Sequence, residues 1–327
     1  MAVPEPVGVY AGQRTNKSAL LPSSAALMAS LVTFVSAGTL ATAPPALASS
    51  QATVTSYSVE GPAEPNGVAV IQSGGNAGKV WVSADVAGDA TPNSLAYFGP
   101  DGTDPEFEIT GSVENNSYPE SVAVDSNGTA LLPGLTYKLY IISPDGTTST
   151  VNTARPNQSI ALGETDGVVF LLEFDGRVEK LDLSSGQLAI TGRIDGAWDV
   201  AYSSTGGGRV AVSQFNQDKV SVFDSNLSLL STHDVGDDPR GITFDSSGNI
   251  YTANFSGSVS RIAANGEVTS NYVALSGKSP IDIAVDDEDA LYVADMNGGV
   301  SRITPEGAVM ANWGPQDQGG TILRSVD

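Results

Sequence analysis

The chain has 327 residues and a formal net charge of −22 at pH 7, from 37 acidic and 15 basic residues. A surface this acidic repels nucleic acid and anionic lipid, so binding to DNA or RNA is not expected. There is no cysteine, which excludes a disulfide framework, a thiol nucleophile and a thiolate metal site.

Residues 1–48 have the features of a secretory signal peptide. Arg14 and Lys17 supply a positive segment, residues 25–40 are mostly apolar, and an Ala-Leu-Ala segment ending at Ala48 offers small residues for cleavage. The apolar stretch is too short and too interrupted to span a bilayer, so stable membrane insertion is not expected. We therefore expect cleavage near Ala48 and a secreted, extracellular, monomeric protein.

The remainder, residues 49–327, repeats one unit of short strands. Each unit begins with an apolar residue that anchors the predicted innermost strand, and these anchors are Val68, Val122, Ile160, Val200, Ile242 and Ile283. Turns such as SPDG at 143–146 and TPEG at 304–307 end the third strand of a unit and lead to a fourth. Repeats of about 40–50 residues with four strands each indicate propeller blades.

The sequence therefore predicts an all-β fold, a six-bladed β-propeller of four-stranded antiparallel blades in a single domain. Two segments, 53–59 and 309–313, both qualify as the strand that closes the ring. The sequence leaves the choice between them open.

Two segments carry a resemblance to a known group. Residues 238–254 (DPRGITFDSSGNIYTAN) and 279–295 (SPIDIAVDDEDALYVAD) resemble NHL repeats, and more broadly the superfamily that includes virginiamycin B lyase-like and gluconolactonase/senescence-marker (SMP-30)-like propellers. The resemblance covers residues 65–309. It implies the propeller fold but no single function, because enzymes, sensors and adaptors share this scaffold.

The resemblance to enzymes can be compared residue by residue. Likeness to the lyases implies a catalytic histidine with a nearby glutamate and a divalent metal, whereas the one histidine here, His233, is predicted to lie in the fourth strand of the fourth blade in a structural role. Likeness to the lactonases implies a metal held by Glu, Asn and Asp side chains from several blades. Asn66 lies in a matching Pro-Asn-Gly segment, but Glu60 and Asp282 do not occupy matching places.

Loops that lead into the innermost strands of a propeller converge at one mouth of its central channel, where a ligand site is expected. The candidate ligand-binding residues are those one or two positions before the anchors: Asn66, Glu120, Gln158, Trp198, Asp199, Arg240 and Asp282. Of these, Asn66, Glu120 and Gln158 are oxygen donors suited to Ca²⁺. Trp198 and Arg240 would present an aromatic wall and a forked cation to a small molecule, a saccharide or a peptide. The alternative is that these side chains only fill the mouth.

Other acidic positions are predicted to serve the scaffold. Polar residues end the second strand of five blades and are expected to bond to neighbouring turns: Asp85, Glu173, Gln214, Asn254 and Asp295. The acidic run at 286–289 is interpreted as a solvated turn, because it lacks the ligand pattern of a calcium loop. The sequence thus favours a secreted binding or interaction module with a ligand site at the channel mouth. The alternative is a metal-dependent lactonase- or lyase-type enzyme at the same mouth.

Overall fold

The structure, a computed structural model, describes residues 30–36, 53–59, 63–70, 79–86, 94–98, 107–110, 121–134, 136–296 and 299–313. Within these residues the chain forms one two-stranded sheet and six four-stranded antiparallel sheets. The two-stranded sheet pairs β1 (Ser30–Ser36) with β2 (Thr53–Val59). Strand β1 lies within the segment predicted to be a signal peptide.

The six four-stranded sheets are the blades, and each is built from four consecutive strands. Blades 1 to 3 contain β3 (Ala63–Val70), β4 (Val80–Val86), β5 (Ser94–Phe98), β6 (Phe107–Thr110), β7 (Ala123–Val124), β8 (Ala130–Pro133), β9 (Lys138–Ile142), β10 (Thr148–Asn152), β11 (Asn157–Leu162), β12 (Val168–Glu173), β13 (Val178–Asp182) and β14 (Gly186–Ile190). Blades 4 to 6 contain β15 (Ala197–Ser203), β16 (Arg209–Gln214), β17 (Lys219–Asp224), β18 (Leu229–Asp234), β19 (Pro239–Phe244), β20 (Ile250–Asn254), β21 (Ser258–Ile262), β22 (Val268–Ala274), β23 (Pro280–Val285), β24 (Leu291–Asp295), β25 (Val300–Ile303) and β26 (Val309–Trp313).

This arrangement confirms the predicted all-β, six-bladed propeller. It also resolves the open question about the termini, because β26 (Val309–Trp313) is the fourth strand of blade 6, whereas β2 pairs with β1. No helix among the described residues is long and apolar enough to cross a membrane.

The core lies between neighbouring blades. All six predicted anchors are buried. The second strand of a blade is covered on both faces, and every residue of β12 is buried, as expected for an apolar strand packed between two sheets. Fourth strands such as β18 are largely exposed. The apolar residues of inner and second strands therefore hold the blades together, and the outer strands face solvent.

Polar contacts link successive blades at the end of the propeller opposite the predicted mouth. The Trp81 indole N–H of blade 1 donates to the Gly128 carbonyl of blade 2 at 2.9 Å. Ser246 of blade 5 donates from its backbone N–H and its hydroxyl to the carboxylate of Asp289 in blade 6, at 2.8 and 2.7 Å. The predicted solvated turn at 286–289 is thus a turn that also joins two blades.

Candidate functional site at the channel mouth

The residue two positions before the anchor occupies a β-bulge in five of the blades. The pairing register between inner and second strand skips this residue, which leaves it outside the ladder of hydrogen bonds. The skipped residues are Asn66, Gln158, Trp198, Arg240 (together with Gly241) and Ile281. A bulge redirects the side chain that it carries, so the repeat places these positions at the start of each inner strand and frees them from the sheet.

A second position repeats beside the first. The residue that directly follows the second strand donates its backbone N–H to a carbonyl in the loop leading into the inner strand of the same blade, at 2.7–3.0 Å in blades 3 to 6. These residues are all large and apolar: Phe174, Phe215, Phe255 and Met296. They are not among the candidates predicted from the sequence, although each directly follows a polar strand end, a pattern that could have indicated them.

Trp198 and these four residues form what we call the apolar crescent. Its members lie at the same end of blades 3 to 6, where the inner strands begin. Trp198, Phe174 and Met296 are 43%, 45% and 38% exposed, and the rings of Trp198 and Phe215 pack with their centroids 5.1 Å apart. Large apolar side chains that remain accessible side by side are typical of an interaction site.

Arg240 lies among three rings of the crescent. Its guanidinium carbon is 3.9 Å from the centroid of Phe255, 4.9 Å from that of Trp198 and 5.0 Å from that of Phe215. The electron-rich faces of the rings stabilise the cation. Burial lowers the pKa of Arg240, and the nearby carboxylate of Asp238 opposes this effect, but an arginine stays charged at neutral pH.

The side-chain nitrogens of Arg240 form no hydrogen bond or ion pair with the part of the protein that the structure describes, although its backbone carbonyl accepts a hydrogen bond from the Ser213 hydroxyl at 2.5 Å. Its Nε is buried and has no hydrogen-bond partner, and no described carboxylate forms an ion pair with its terminal nitrogens, which are not buried. By contrast, the other described arginines each contact a carboxylate, a carbonyl or a tyrosine hydroxyl. Arg240 is therefore held by aromatic rings, with its two terminal nitrogens free to bind a ligand.

Gln158 supports the crescent from the neighbouring blade. Its side-chain amide N–H group donates to the backbone carbonyls of Ala197 and Trp198, at 3.2 and 3.0 Å. These bonds cross from blade 3 to blade 4 and hold the backbone that carries the Trp198 ring. Gln158 thus lies beside Trp198, with part of its hydrogen-bonding capacity used by the scaffold.

One residue further along the inner strands lie two carboxylates, those of Asp199 and Asp282. Asp199 accepts hydrogen bonds from the Ser159 hydroxyl at 2.5 Å and from the backbone N–H of Ile242 at 3.1 Å, so it joins three successive blades. Burial, and next the charge of Asp282, raise the pKa of Asp199 to about 7. Asp282 itself accepts from the N–H of Ile283 at 2.9 Å.

A further acidic group lies next to Phe174. Glu173 is fully buried, and Arg155 contacts both Glu173 Oε2 (3.3 Å) and Asp175 Oδ2 (2.9 Å). One oxygen of each carboxylate, Glu173 Oε1 and Asp175 Oδ1, is buried without a partner. Burial raises the pKa of Glu173 to about 7, against the opposing charge of Arg155 and with the help of Asp175 and Glu179.

The remaining residues considered as metal ligands or catalytic groups lie apart from this site or outside the described residues. His233 lies on β18, the outermost strand of blade 4, where its Nε2 is 2.8 Å from the Ser231 hydroxyl. Glu120 and the side chain of Asn66 lie outside the described residues. Among those that are described, no group of three or more His, Cys, Asp or Glu side chains is arranged to hold a metal ion.

Comparison with known proteins shows the fold and nothing closer. No protein-family model and no curated protein matches the chain. The structure is similar to virginiamycin B lyase from Staphylococcus aureus, with a TM-score of 0.65 and 14% identity over 78% of this chain and 85% of the lyase. A streptogramin B lyase structure aligns with a TM-score of 0.64 and 16% identity, over 79% of this chain and 85% of the lyase.

Propellers of another kind match equally well. U3-55K aligns with a TM-score of 0.66 and 11% identity, over 80% of this chain and 84% of that chain. The WD40 repeats of RRP9 give a TM-score of 0.66 at 10% identity, over 80% of this chain and 83% of that chain. At such identities the likeness establishes a β-propeller, while the resemblance to NHL repeats stays a prediction.

Proposed function

We propose that this protein is a secreted β-propeller binding module that captures a small molecule, a saccharide or a peptide at the channel mouth. The observation that carries the proposal is the apolar crescent, which places accessible apolar side chains at one structural position of four consecutive blades. A fold alone would not require this, because the scaffold needs only a backbone N–H at the position after the second strand.

Hydrogen bonds hold the backbone that carries the crescent. Backbone hydrogen bonds hold Phe174, Phe215, Phe255 and Met296 against the loops of their own blades, and Gln158 holds the backbone of Trp198. Preorganised groups lose little conformational entropy on binding. Covering about 100 Å² of the crescent's apolar surface with a ligand would contribute roughly 2.5 kcal/mol to the free energy of binding.

The proposed secretion rests on the features of residues 1–48. Arg14 and Lys17 precede the apolar stretch, and small residues lie before the expected cleavage point at Ala48. Expression of the full chain in a secreting host, followed by amino-terminal sequencing of the protein from the medium, tests this part. Retention in the cell with an intact amino terminus would contradict it.

Binding at the mouth can be tested with a neutral, environment-sensitive dye such as Nile red. We expect the wild-type protein to enhance its fluorescence, and Trp198→Ala and Phe255→Ala to weaken the binding at least ~5-fold, since each removes a ring from the crescent. Leu230→Ala is the matched control, because Leu230 is a large exposed apolar residue on the outermost strand β18. Equal loss in the control, or none in the crescent variants, would reject the site.

A further inference from the structure

We infer that the ligand of the crescent is an amphipathic carboxylate, in which a carboxylate group is joined to a planar apolar body. In this arrangement the terminal nitrogens of Arg240 bind the carboxylate, and the rings of Trp198 and Phe255 contact the apolar body. The inference rests on the proposed function, because it assigns the chemistry of the same site.

The sign of the ligand charge follows from the cation that already lies among the rings of the crescent. Aromatic side chains arranged around one point bind cations such as quaternary ammonium groups. Here the guanidinium of Arg240 occupies that point, 3.9 Å from the centroid of Phe255. This fixed positive charge would repel a cationic ligand and attract an anionic one.

The geometry of the guanidinium favours a carboxylate. Arginine presents its N–H groups in a planar fork that matches the two oxygens of a carboxylate. Nε is the buried nitrogen of Arg240, so the pair that remains available is the two terminal nitrogens. Contact with aromatic rings displaces water from the faces of the guanidinium, so a ligand has less bound water to displace.

The surroundings disfavour more highly charged or more polar ligands. The chain carries a net charge of −22, and the carboxylate of Asp238 acts on Arg240 from nearby, so a doubly charged anion such as a phosphate monoester would be repelled. A neutral saccharide needs several hydrogen-bonding partners, whereas the crescent presents apolar side chains around one cation. A single carboxylate on an apolar body fits both the charge and the surface.

Two sources offer this chemistry, namely a free aromatic acid and the carboxy-terminal residue of a peptide. Isothermal titration calorimetry with phenylacetate and with Nα-acetylphenylalanine compares them, and Nα-acetylphenylalaninamide is the neutral counterpart of the second. We expect the wild-type protein to bind at least one acid and, if it binds Nα-acetylphenylalanine, to bind it at least ~10-fold more tightly than its amide. A response to phenylacetate alone would identify a free acid, and a preference for the acetylated amino acid would identify a peptide terminus.

Variants at position 240 separate charge from packing. Arg240→Met keeps an unbranched apolar chain among the rings and should abolish the preference for acid over amide. Arg240→Lys keeps the charge without the fork and should retain part of it. Arg193→Met is the matched control, because Arg193 is exposed and pairs with Asp195 outside the crescent. Thermal unfolding of each variant shows whether it is folded.

The outcomes distinguish this inference from the proposal on which it depends. If acid and amide bind equally to the wild type, or if neither acid binds while Nile red still does, the assigned ligand class is wrong and the crescent remains a binding site. The same holds if choline binds and the acids do not. If Nile red binding is also absent or is unaffected by Trp198→Ala, the proposed function itself fails. A misfolded Arg240→Met protein leaves the decision to the acid and amide comparison in the wild type and in Arg240→Lys.

Discussion

The Ser159 hydroxyl donates a hydrogen bond to Asp199 Oδ1 at 2.5 Å, from blade 3 to blade 4. The other oxygen of Asp199 accepts from the backbone N–H of Ile242 in blade 5. One carboxylate thereby connects three blades, and its protonation is coupled to how firmly they are joined.

Asp199 should make the stability of the protein fall as pH rises. Its pKa is raised from the ordinary 3.8 to about 7 by burial and by the charge of Asp282, so the folded state holds a proton that the unfolded state releases. The stabilisation is complete below about pH 4 and is lost as pH rises towards 7. In Asp199→Asn the fall in unfolding free energy between pH 4 and pH 8 should shrink by about 1–3 kcal/mol. Urea unfolding across this range measures it, and an unchanged slope would contradict the assignment.

Glu173 should also make the stability of the protein fall as pH rises. Burial raises its pKa from 4.5 to about 7, and Asp175 and Glu179 add to the effect while Arg155 opposes it. We expect Glu173→Gln to change the free energy of unfolding more favourably at pH 8 than at pH 5, by about 1 kcal/mol or more. The reason is that the amide removes a charge that is buried among carboxylates. Glu267→Gln serves as an exposed control. A difference between the two pH values no larger than in the control would reject the explanation.

Gly241 should tolerate no side chain. A Cβ atom there would lie 2.6 Å from the Cα of Asp282 and 2.9 Å from the backbone nitrogen of Ile283, which are backbone atoms of the next blade. We expect Gly241→Ala to cost about 2–3 kcal/mol of unfolding free energy. Gly167→Ala is the control, because nothing lies within 4 Å of its added carbon, and its effect should stay within about 0.5 kcal/mol. Similar effects of the two substitutions would contradict the close approach of blades 5 and 6.

Calcium distinguishes the metal-dependent alternative. We expect millimolar CaCl₂ to leave the melting temperature unchanged, because Asn66, Glu120 and Gln158 include a single carboxylate and the amide of Gln158 is bonded to blade 4. Thermal unfolding with CaCl₂ and with EDTA measures this. A rise in melting temperature that Glu120→Ala abolishes would favour the lactonase- or lyase-type enzyme instead.

Much of the fold could be predicted because a propeller repeats its pattern. The anchors Ile242 and Ile283, and the turns that follow them, recur in nearly the same form, and the period of two along each strand reports which face is buried. The position two residues before an anchor, predicted to lie at the mouth, is a bulge in five blades. Trp198 and Arg240, expected at the mouth from adjacent blades, lie 4.9 Å apart, and their role in binding stays a prediction.

The rest of the site could not be predicted in this way, for a physical reason. Phe215 and Phe255 follow the ends of strands, where the alternation stops and no longer reports where a side chain points. The contact between Arg240 and Phe255 depends on the curvature of the bulge. Of the polar strand ends predicted to bond to neighbouring turns, Asp295 accepts from the Ser279 N–H at 3.3 Å and Gln214 donates to the Asp195 carbonyl at 2.9 Å, whereas the side chain of Asp85 lies outside the described residues.

The repeated bulge separates what holds the protein together from what varies between its blades. Since residues such as Trp198 and Ile281 take no part in the ladder, exchanging them costs the sheet no hydrogen bond. Side chains at these positions can therefore change without loss of a ladder hydrogen bond, although those in contact, such as Trp198 and Arg240, must change together. The residues at the mouth can thus differ from blade to blade while the hydrogen bonds of the sheets stay the same.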